Sequence, residues 1–150
     1  MTELDFTTSV RLQVIETARD TGRVPDAAEV AKLLGRPDAE VIDAFHRLAD
    51  AHVYVLEPSD PHRIRMANPF SAVPTPFAVD ANGRNYFGNC VWDALGILSL
   101  LGGDGRVETH CPDCREPLRL EVRGGRLTPS TGVVHFGVAA RHWWDDIVHT

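Results

Sequence analysis

The chain lacks the features that mark membrane and secreted proteins. No stretch approaches the roughly 18 consecutive apolar residues that a transmembrane helix needs. The first ten residues, MTELDFTTSV, contain neither a basic segment nor an apolar core, so they do not match a secretory signal peptide. These absences predict a cytoplasmic protein without a membrane partner.

Positive charge is also scarce. Lys and Arg together number 15, against 21 Asp and Glu, and the net charge is −6 at pH 7. Because Lys and Arg contacts with phosphates supply most of the affinity for nucleic acid, this balance argues against a nucleic-acid partner. A hydrophobic share of 43% in 150 residues is typical of a globular chain with one domain, or with a small module joined to a larger one.

Cysteine occurs only three times, as Cys90, Cys111 and Cys114. An odd number of cysteines without a signal peptide does not indicate a disulfide framework. In a reducing compartment, it indicates thiolate chemistry or a bound metal ion.

The first 66 residues predict three helices followed by a hairpin. Asp26 and Glu29 have the spacing of a capping box, which predicts that the second helix begins between them. The predicted elements are a helix from Val10 to Ala18 that closes at Gly22, a helix from Ala27 to Gly35, a helix over residues 38–51, and strands Val53–Leu56 and Arg63–Met66. This order is that of a winged-helix-like module, residues 1–66.

A winged helix commonly binds DNA, but the predicted third helix has the wrong charge for that role. It carries four acidic residues and one basic residue, namely Asp38, Glu40, Asp43, Asp50 and Arg47. A helix that reads a groove needs basic and amide side chains against phosphates and base edges. The sequence therefore favours a packing module, and a DNA-binding regulator is the alternative.

Residues 67–150 predict a small mixed or antiparallel sheet domain with one buried helix, so the fold class of the whole chain is α+β. Asn82-Gly83 is a strong hairpin-turn sequence. The helix, about residues 90–101, is apolar nearly all round and is therefore expected in a core. The predicted strands are Phe77–Val79, Tyr86–Phe87, Arg106–Thr109, Leu118–Val122 and Val133–Val138.

The start of that helix holds the best candidate for a chemical centre. Cys90 and Asp93 are three residues apart, so both lie on one helix face. A carboxylate in so apolar a segment must be paired or protonated, which predicts either a capping group or a proton carrier with a raised pKa. The helix N-terminus is expected to favour a Cys90 thiolate. The alternative is a buried cysteine that acts as a small hydrophobic residue beside a capping aspartate.

The segment Cys111-Pro-Asp-Cys114 is half of a zinc knuckle. Two thiolates at this spacing can hold one face of a tetrahedral ion, but a structural zinc site needs four ligands. The candidates to complete it are Cys90, His110, His135, His142 and His149. The candidate metal ligands are therefore Cys90, Cys111 and Cys114, for zinc, copper or mercury, and the alternative is a reduced cysteine pair in a turn.

The segment His142-Trp143-Trp144-Asp145-Asp146 is also unusual. Adjacent tryptophans can form the wall of a pocket, and the two aspartates can orient a histidine or cap a helix. Most tryptophan pairs instead bury area in a core or an interface, and that interpretation is favoured here.

Together these motifs resemble the alkylmercury (organomercurial) lyase family. The similarity covers most of residues 10–150 and is strongest over residues 69–122. The stretches that carry it are Tyr86–Leu95 (YFGNCVWDAL), Val107–Cys111 (VETHC) and Glu116–Leu120 (EPLRL). The most specific element is the Cys-x-x-Asp start of the helix.

The resemblance implies protonolysis of carbon–mercury bonds. In that family a cysteine thiolate binds the mercury of R–Hg⁺, a second cysteine joins it, and an aspartate manages the proton; soft thiolates suit so soft a metal. Cys90 matches the first cysteine, Asp93 the aspartate, and Cys111 a cysteine of structural role. The implied partner is a small organometallic substrate, with no required cofactor beyond possible bound mercury or zinc.

The resemblance also implies one departure from the family pattern. The family's second catalytic cysteine follows the Trp-Trp-Asp-Asp stretch and falls beyond Thr150, where this sequence ends. Cys114, which is absent from the family pattern, is the candidate for a substitute thiol.

Overall fold

The structure, a computed structural model, describes residues 5–128 and 132–149. Helices come first along the chain and antiparallel sheets follow, so the predicted α+β class is confirmed. The elements are α1 (Phe6–Thr21), α2 (Ala27–Leu34), α3 (Asp38–Asp50), β1 (Tyr54–Glu57), β2 (Asp60–Ala67), β3 (Phe70–Ser71), β4 (Ala78–Ala81), β5 (Arg84–Phe87), α4 (Val91–Leu101), β6 (Gly105–His110), β7 (Pro117–Arg123), β8 (Arg126–Leu127) and a 3-10 helix, Ala140–Asp145. Within these residues no helix has the length and apolarity that crossing a bilayer requires.

The first two helices begin and end at the capping residues that the sequence predicts. Asp5 accepts a hydrogen bond from the Thr8 backbone N–H at 3.1 Å and caps α1, which ends at Gly22 in the left-handed conformation. Asp26 and Glu29 form the predicted capping box at the start of α2, with hydrogen bonds of 2.9 and 3.1 Å. The first turns of α1 and α2 are therefore fixed by local sequence.

Two clusters of buried side chains form the core, and α1 contributes to both. Val10 and Val14 pack in the first cluster, with α2, α3 and the β1–β2 hairpin, whereas Ala18 packs in the second, with α4 and the larger sheet. The Tyr86 hydroxyl donates to the Arg19 carbonyl oxygen at 2.7 Å and ties the larger sheet to α1. Strand β2 runs to Ala67 and pairs with β3. Backbone hydrogen bonds therefore join the two predicted segments, residues 1–66 and residues 67–150.

The larger sheet has the strand order β5-β4-β6-β7-β8, and α4 packs on one face of it. Strands β5 and β6 each pair antiparallel with β4, so they run parallel to one another and end at the same edge of the sheet. Ala78 lies between Phe87 of β5 and Glu108 of β6 at that edge. The turns that follow β5 and β6, which carry the cysteines, therefore leave the sheet on the same side.

One sequence-based expectation was wrong. Val133–Val138 is not a strand: β8 occupies the outer edge of β7, and the segment stays exposed, with Val133 at 92% of its accessible area. Without a partner strand, β-branched residues do not form a ladder. Helix α4 packs in the second core cluster, as expected, through Ala94, Ile97 and Leu98. Trp92 is 68% exposed, because the sheet covers only one side of the helix.

Candidate functional site

A tight connection from β5 to α4 positions the candidate site. A Cβ atom on Gly88 would lie 2.5 Å from the backbone nitrogen of Ala94, so only glycine lets the chain pass this close to the helix. The Gly88 N–H donates to the Phe77 carbonyl at 3.0 Å, and the Thr75 hydroxyl donates to the Gly88 carbonyl at 2.6 Å. This anchoring fixes where the next two residues, Asn89 and Cys90, enter the helix.

Cys90 and Asp93 come together in the first turn of α4. Cys90 is the N-cap residue, with an extended backbone (φ −145°, ψ −179°), and its thiol donates to Asp93 Oδ2 at 3.7 Å. Both side chains are half-buried. The two predicted site residues are therefore adjacent, with the thiol as donor and the Asp93 side chain as acceptor.

Burial raises the pKa of both groups. Burial raises the pKa of Asp93, and hydrogen bonds from Asn89 and Cys90 oppose this rise only in part. Burial also raises the pKa of the Cys90 thiol, and the Asp93 charge adds to the rise, against the backbone N–H groups of Asp93 and Trp92. The sequence predicted that the helix N-terminus would favour a Cys90 thiolate, and so lower the pKa of the thiol. The pKa is raised instead, because burial outweighs the backbone amides.

Asn89 is a site residue that the sequence interpretation missed. Its side-chain nitrogen donates to Asn68 Oδ1 at 2.9 Å, and its side chain also hydrogen-bonds Asp93. Asn89 Oδ1 is buried and has no hydrogen-bond partner in the described part of the chain. The only available signal was its position beside Cys90, because the link to Asn68 joins residues 21 apart and leaves no local pattern.

The Cys111–Cys114 segment forms the turn between β6 and β7. The Cys111 N–H donates to the Glu116 carbonyl at 2.8 Å, and the Arg115 N–H donates to the Cys111 carbonyl at 3.0 Å. The Cys111 sulfur accepts hydrogen bonds from the backbone N–H groups of Cys114 and Asp113 and from the Cys114 thiol, which lower the pKa of Cys111. The thiols of this pair are therefore adjacent.

The three cysteines are not assembled into one metal centre. Among residues 5–128 and 132–149, no three His, Cys, Asp or Glu side chains lie close enough together to hold one ion. Cys90 follows β5 and Cys111 follows β6, and β4 lies between these two strands in the sheet. A site built jointly from Cys90, Cys111 and Cys114 is therefore not formed, nor is a four-ligand zinc site completed by His110, His135, His142 or His149.

The Trp143-Trp144 segment packs against the chain itself. Trp144 stacks on His52, after α3, with ring centroids 4.3 Å apart and an interplanar angle of 8°. Trp143 donates from its indole nitrogen to the Val138 carbonyl at 2.8 Å. His142 lies 3.0 Å from Asp145, so that aspartate is placed to orient this histidine.

A cleft of about 510 Å³ lies elsewhere, between the start of α2 and the β1–β2 turn. Its charged lining includes Arg23 and Glu29, which already pair at 2.6 Å. Neither Cys90 nor Asp93 lines this cleft. We therefore assign the candidate chemistry to the start of α4.

Comparison with known proteins decides the family. A model of the alkylmercury lyase family matches residues 70–150, more than half of the chain. The chain belongs to the alkylmercury lyase family. The matched region contains the Cys90–Asp93 turn, the cysteine pair and the tryptophan segment.

Individual alkylmercury lyases and one solved structure resemble the chain. It is 32% identical to an alkylmercury lyase of Bacillus cereus over 65 residues, and equally to one of Clostridium butyricum; this is 41% of the chain and 30% of each relative. A crystal structure of the mercury-bound form of MerB2 superposes with a TM-score of 0.69 at 23% identity, over 85% of this chain and 61% of that one. The chain thus spans less than two thirds of these proteins, and the structural likeness concerns the fold.

Proposed function

We propose that this protein cleaves carbon–mercury bonds by protonolysis, with Cys90 binding mercury and Asp93 carrying the proton. The observation that carries the proposal is the thiol-to-carboxylate contact of 3.7 Å at the start of α4. Membership of the alkylmercury lyase family supports the reaction class. The substrate is a small organomercurial cation, R–Hg⁺.

The first step exchanges a proton for mercury at sulfur. The Cys90 thiol gives its proton to the Asp93 carboxylate as the S–Hg bond forms, which yields Cys90–S–Hg–R and a neutral Asp93 carboxylic acid. Mercury is a soft ion and prefers sulfur to oxygen, so it displaces the proton from a thiol whose pKa is raised. Burial of Asp93 favours the neutral acid that this step forms.

The second step delivers the same proton to carbon. The Asp93 acid protonates the carbon bound to mercury, the C–Hg bond breaks, and R–H leaves. Mercury remains as Hg²⁺ on the Cys90 sulfur beside the regenerated carboxylate. A raised pKa makes Asp93 a stronger proton reservoir at neutral pH than an ordinary carboxyl, as general acid catalysis requires.

The proposal is tested with phenylmercury acetate, in the presence of free cysteine as a second thiol for the product. Benzene is measured by headspace chromatography, and Hg²⁺ is measured in the same samples. We expect benzene from the unaltered chain and a loss of at least about 100-fold in Cys90→Ser and in Asp93→Asn, the scale of a lost general acid. Asp113→Asn, which removes an exposed carboxylate from the β6–β7 turn, is the matched control and should keep full activity.

The same experiment distinguishes a catalytic protein from one that only binds metal. A binding protein retains mercury on its thiols and releases no benzene above the rate of free cysteine alone. Unchanged benzene release in folded Cys90→Ser or Asp93→Asn would remove the roles proposed for these residues.

A further inference from the structure

The β6–β7 turn holds a second pair of thiols that the proposed reaction does not use. Cys114 is exposed, Cys111 is half-buried, and the Cys114 thiol donates to the Cys111 sulfur. The Arg115 N–H donates to the Cys111 carbonyl at 3.0 Å and the Cys111 N–H donates to the Glu116 carbonyl at 2.8 Å, so the backbone of this turn is fixed at both ends. The turn therefore places the two thiols beside each other.

The number of donors restricts the kind of metal ion. Zinc in a structural site takes four ligands, and the described residues bring no third His, Cys, Asp or Glu to this pair. A soft ion such as Hg²⁺ is satisfied by two thiolates in a linear arrangement. Two adjacent sulfur atoms alone thus match mercury and do not match zinc.

We propose that Cys111 and Cys114 form a second thiolate site, separate from Cys90, which binds one soft two-coordinate metal ion, Hg²⁺ in particular. On binding, both thiols lose their protons, two S–Hg bonds form and two H⁺ are released, with no change in oxidation state. The site does not depend on turnover, and it stands whether or not Cys90 and Asp93 cleave organomercurials.

The separation from Cys90 follows from the sheet. The two cysteine-bearing turns leave the same edge but follow strands that are not neighbours, with β4 between them. Cys90 must therefore be removed before the pair is tested by itself. Because the chain has three cysteines, Cys90→Ser leaves only Cys111 and Cys114.

The experiment titrates the full chain carrying Cys90→Ser with mercuric chloride in excess free cysteine. Mercury retained after gel filtration is measured by mass spectrometry, and thiolate-to-mercury charge-transfer absorbance is followed in parallel. We expect one Hg²⁺ per chain. Adding Cys114→Ser should weaken retention by at least about 100-fold, because the second sulfur then no longer binds intramolecularly.

Three controls make the outcome decisive. Asp43→Asn in the Cys90→Ser background removes an exposed carboxylate from α3, keeps both thiols and should retain mercury fully. Far-ultraviolet circular dichroism establishes that each variant is folded, and Cys111→Ser gives an independent loss of the pair. Equal retention with and without Cys114 would overturn the proposal, and so would stoichiometric retention of zinc chloride in the same assay, since that requires further ligands.

Discussion

The Cys90 thiol donates to the Asp93 carboxylate across 3.7 Å, at a helix start where burial raises the pKa of both groups. In such a pair, the thiol can bind an incoming metal ion and give its proton to the carboxylate. The carboxylic acid formed in this way can then pass the proton on. In water the carboxyl would remain ionised at neutral pH and would be a poor acid. The partly buried site makes the same residue more suitable for protonating carbon.

Asn89 is expected to set the pH range of the reaction. Its hydrogen bond to Asp93 lowers the pKa of that carboxyl, so Asn89→Ala should raise it further. The first step needs the carboxylate as proton acceptor, so the acidic limb of the single-turnover rate should move to higher pH. The measurement is the pH profile of benzene release from phenylmercury. Asn85→Ala, at an exposed position of β5, is the control and should leave the acidic limb of the pH profile unchanged. If the acidic limb of Asn89→Ala is also unchanged, Asn89 does not act through Asp93.

Asp93→Asn is expected to stabilise the fold at neutral pH while it lowers turnover by at least about 100-fold. The folded-state pKa of Asp93 lies above its unfolded value of about 3.8, so between these two values the folded state binds more protons. The free energy of unfolding contributed by Asp93 therefore falls as pH rises through this window, and the penalty is complete above the folded pKa. Urea unfolding at acid and neutral pH measures the difference between variant and parent. If the gain in free energy of unfolding of Asp93→Asn over the parent does not increase toward neutral pH, the raised pKa of Asp93 is contradicted.

Gly88→Ala should destabilise the chain by about 1–3 kcal/mol, the usual cost of overpacking a close contact. The added Cβ would meet the Ala94 backbone, which cannot move without displacing α4. Gly96→Ala is a matched control in the same region: its Cβ would lie 3.6 Å from Pro69 Cβ, an ordinary contact. Because alanine favours a helix interior, this control should stabilise by about 0.5–1 kcal/mol. The urea unfolding midpoints of both variants check the prediction. Similar midpoints would mean that the chain at Gly88 does not pass close to the Ala94 backbone.

Glu29 should account for part of the acid sensitivity of the N-terminal helices. Its pKa is lowered from 4.5 to about 2, first by the hydrogen bonds from Arg23. The stabilisation from a lowered pKa is complete above the unfolded value of 4.5 and is lost as pH falls toward about 2. Glu29→Gln should flatten the loss of unfolding free energy in that window. Glu16→Gln, on the exposed side of α1, removes the same charge and should leave the slope unchanged.

Local signals were enough to predict most of the elements. The Asp26–Glu29 capping box places the start of α2, and Gly22 and Gly102 end helices in the left-handed conformation that glycine favours. Asn82 and Gly83 both have positive φ, as a two-residue hairpin turn requires. These features depend on neighbours within a few residues, which a sequence displays directly.

The candidate site was only half visible in the sequence. The spacing of Cys90 and Asp93 predicts their contact, since residues three apart share a helix face. Asn89 lowers the pKa of Asp93 through a hydrogen bond, and its own position depends on a contact with Asn68. No periodicity in the sequence predicts that contact. Burial of Cys90 also reversed the direction expected from the helix N-terminus, because the surrounding packing decides how much solvent a thiol loses.

The sequence by itself determined the helices, the turns, the α+β class and the adjacency of a thiol and a carboxyl. The tertiary structure decided which residues share an environment. It placed the Cys90 and Cys111 turns at one sheet edge but two strands apart, and it left Val133–Val138 without a strand partner. Strand order and burial arise from contacts between distant parts of the chain, whose free energies depend on the whole packed arrangement.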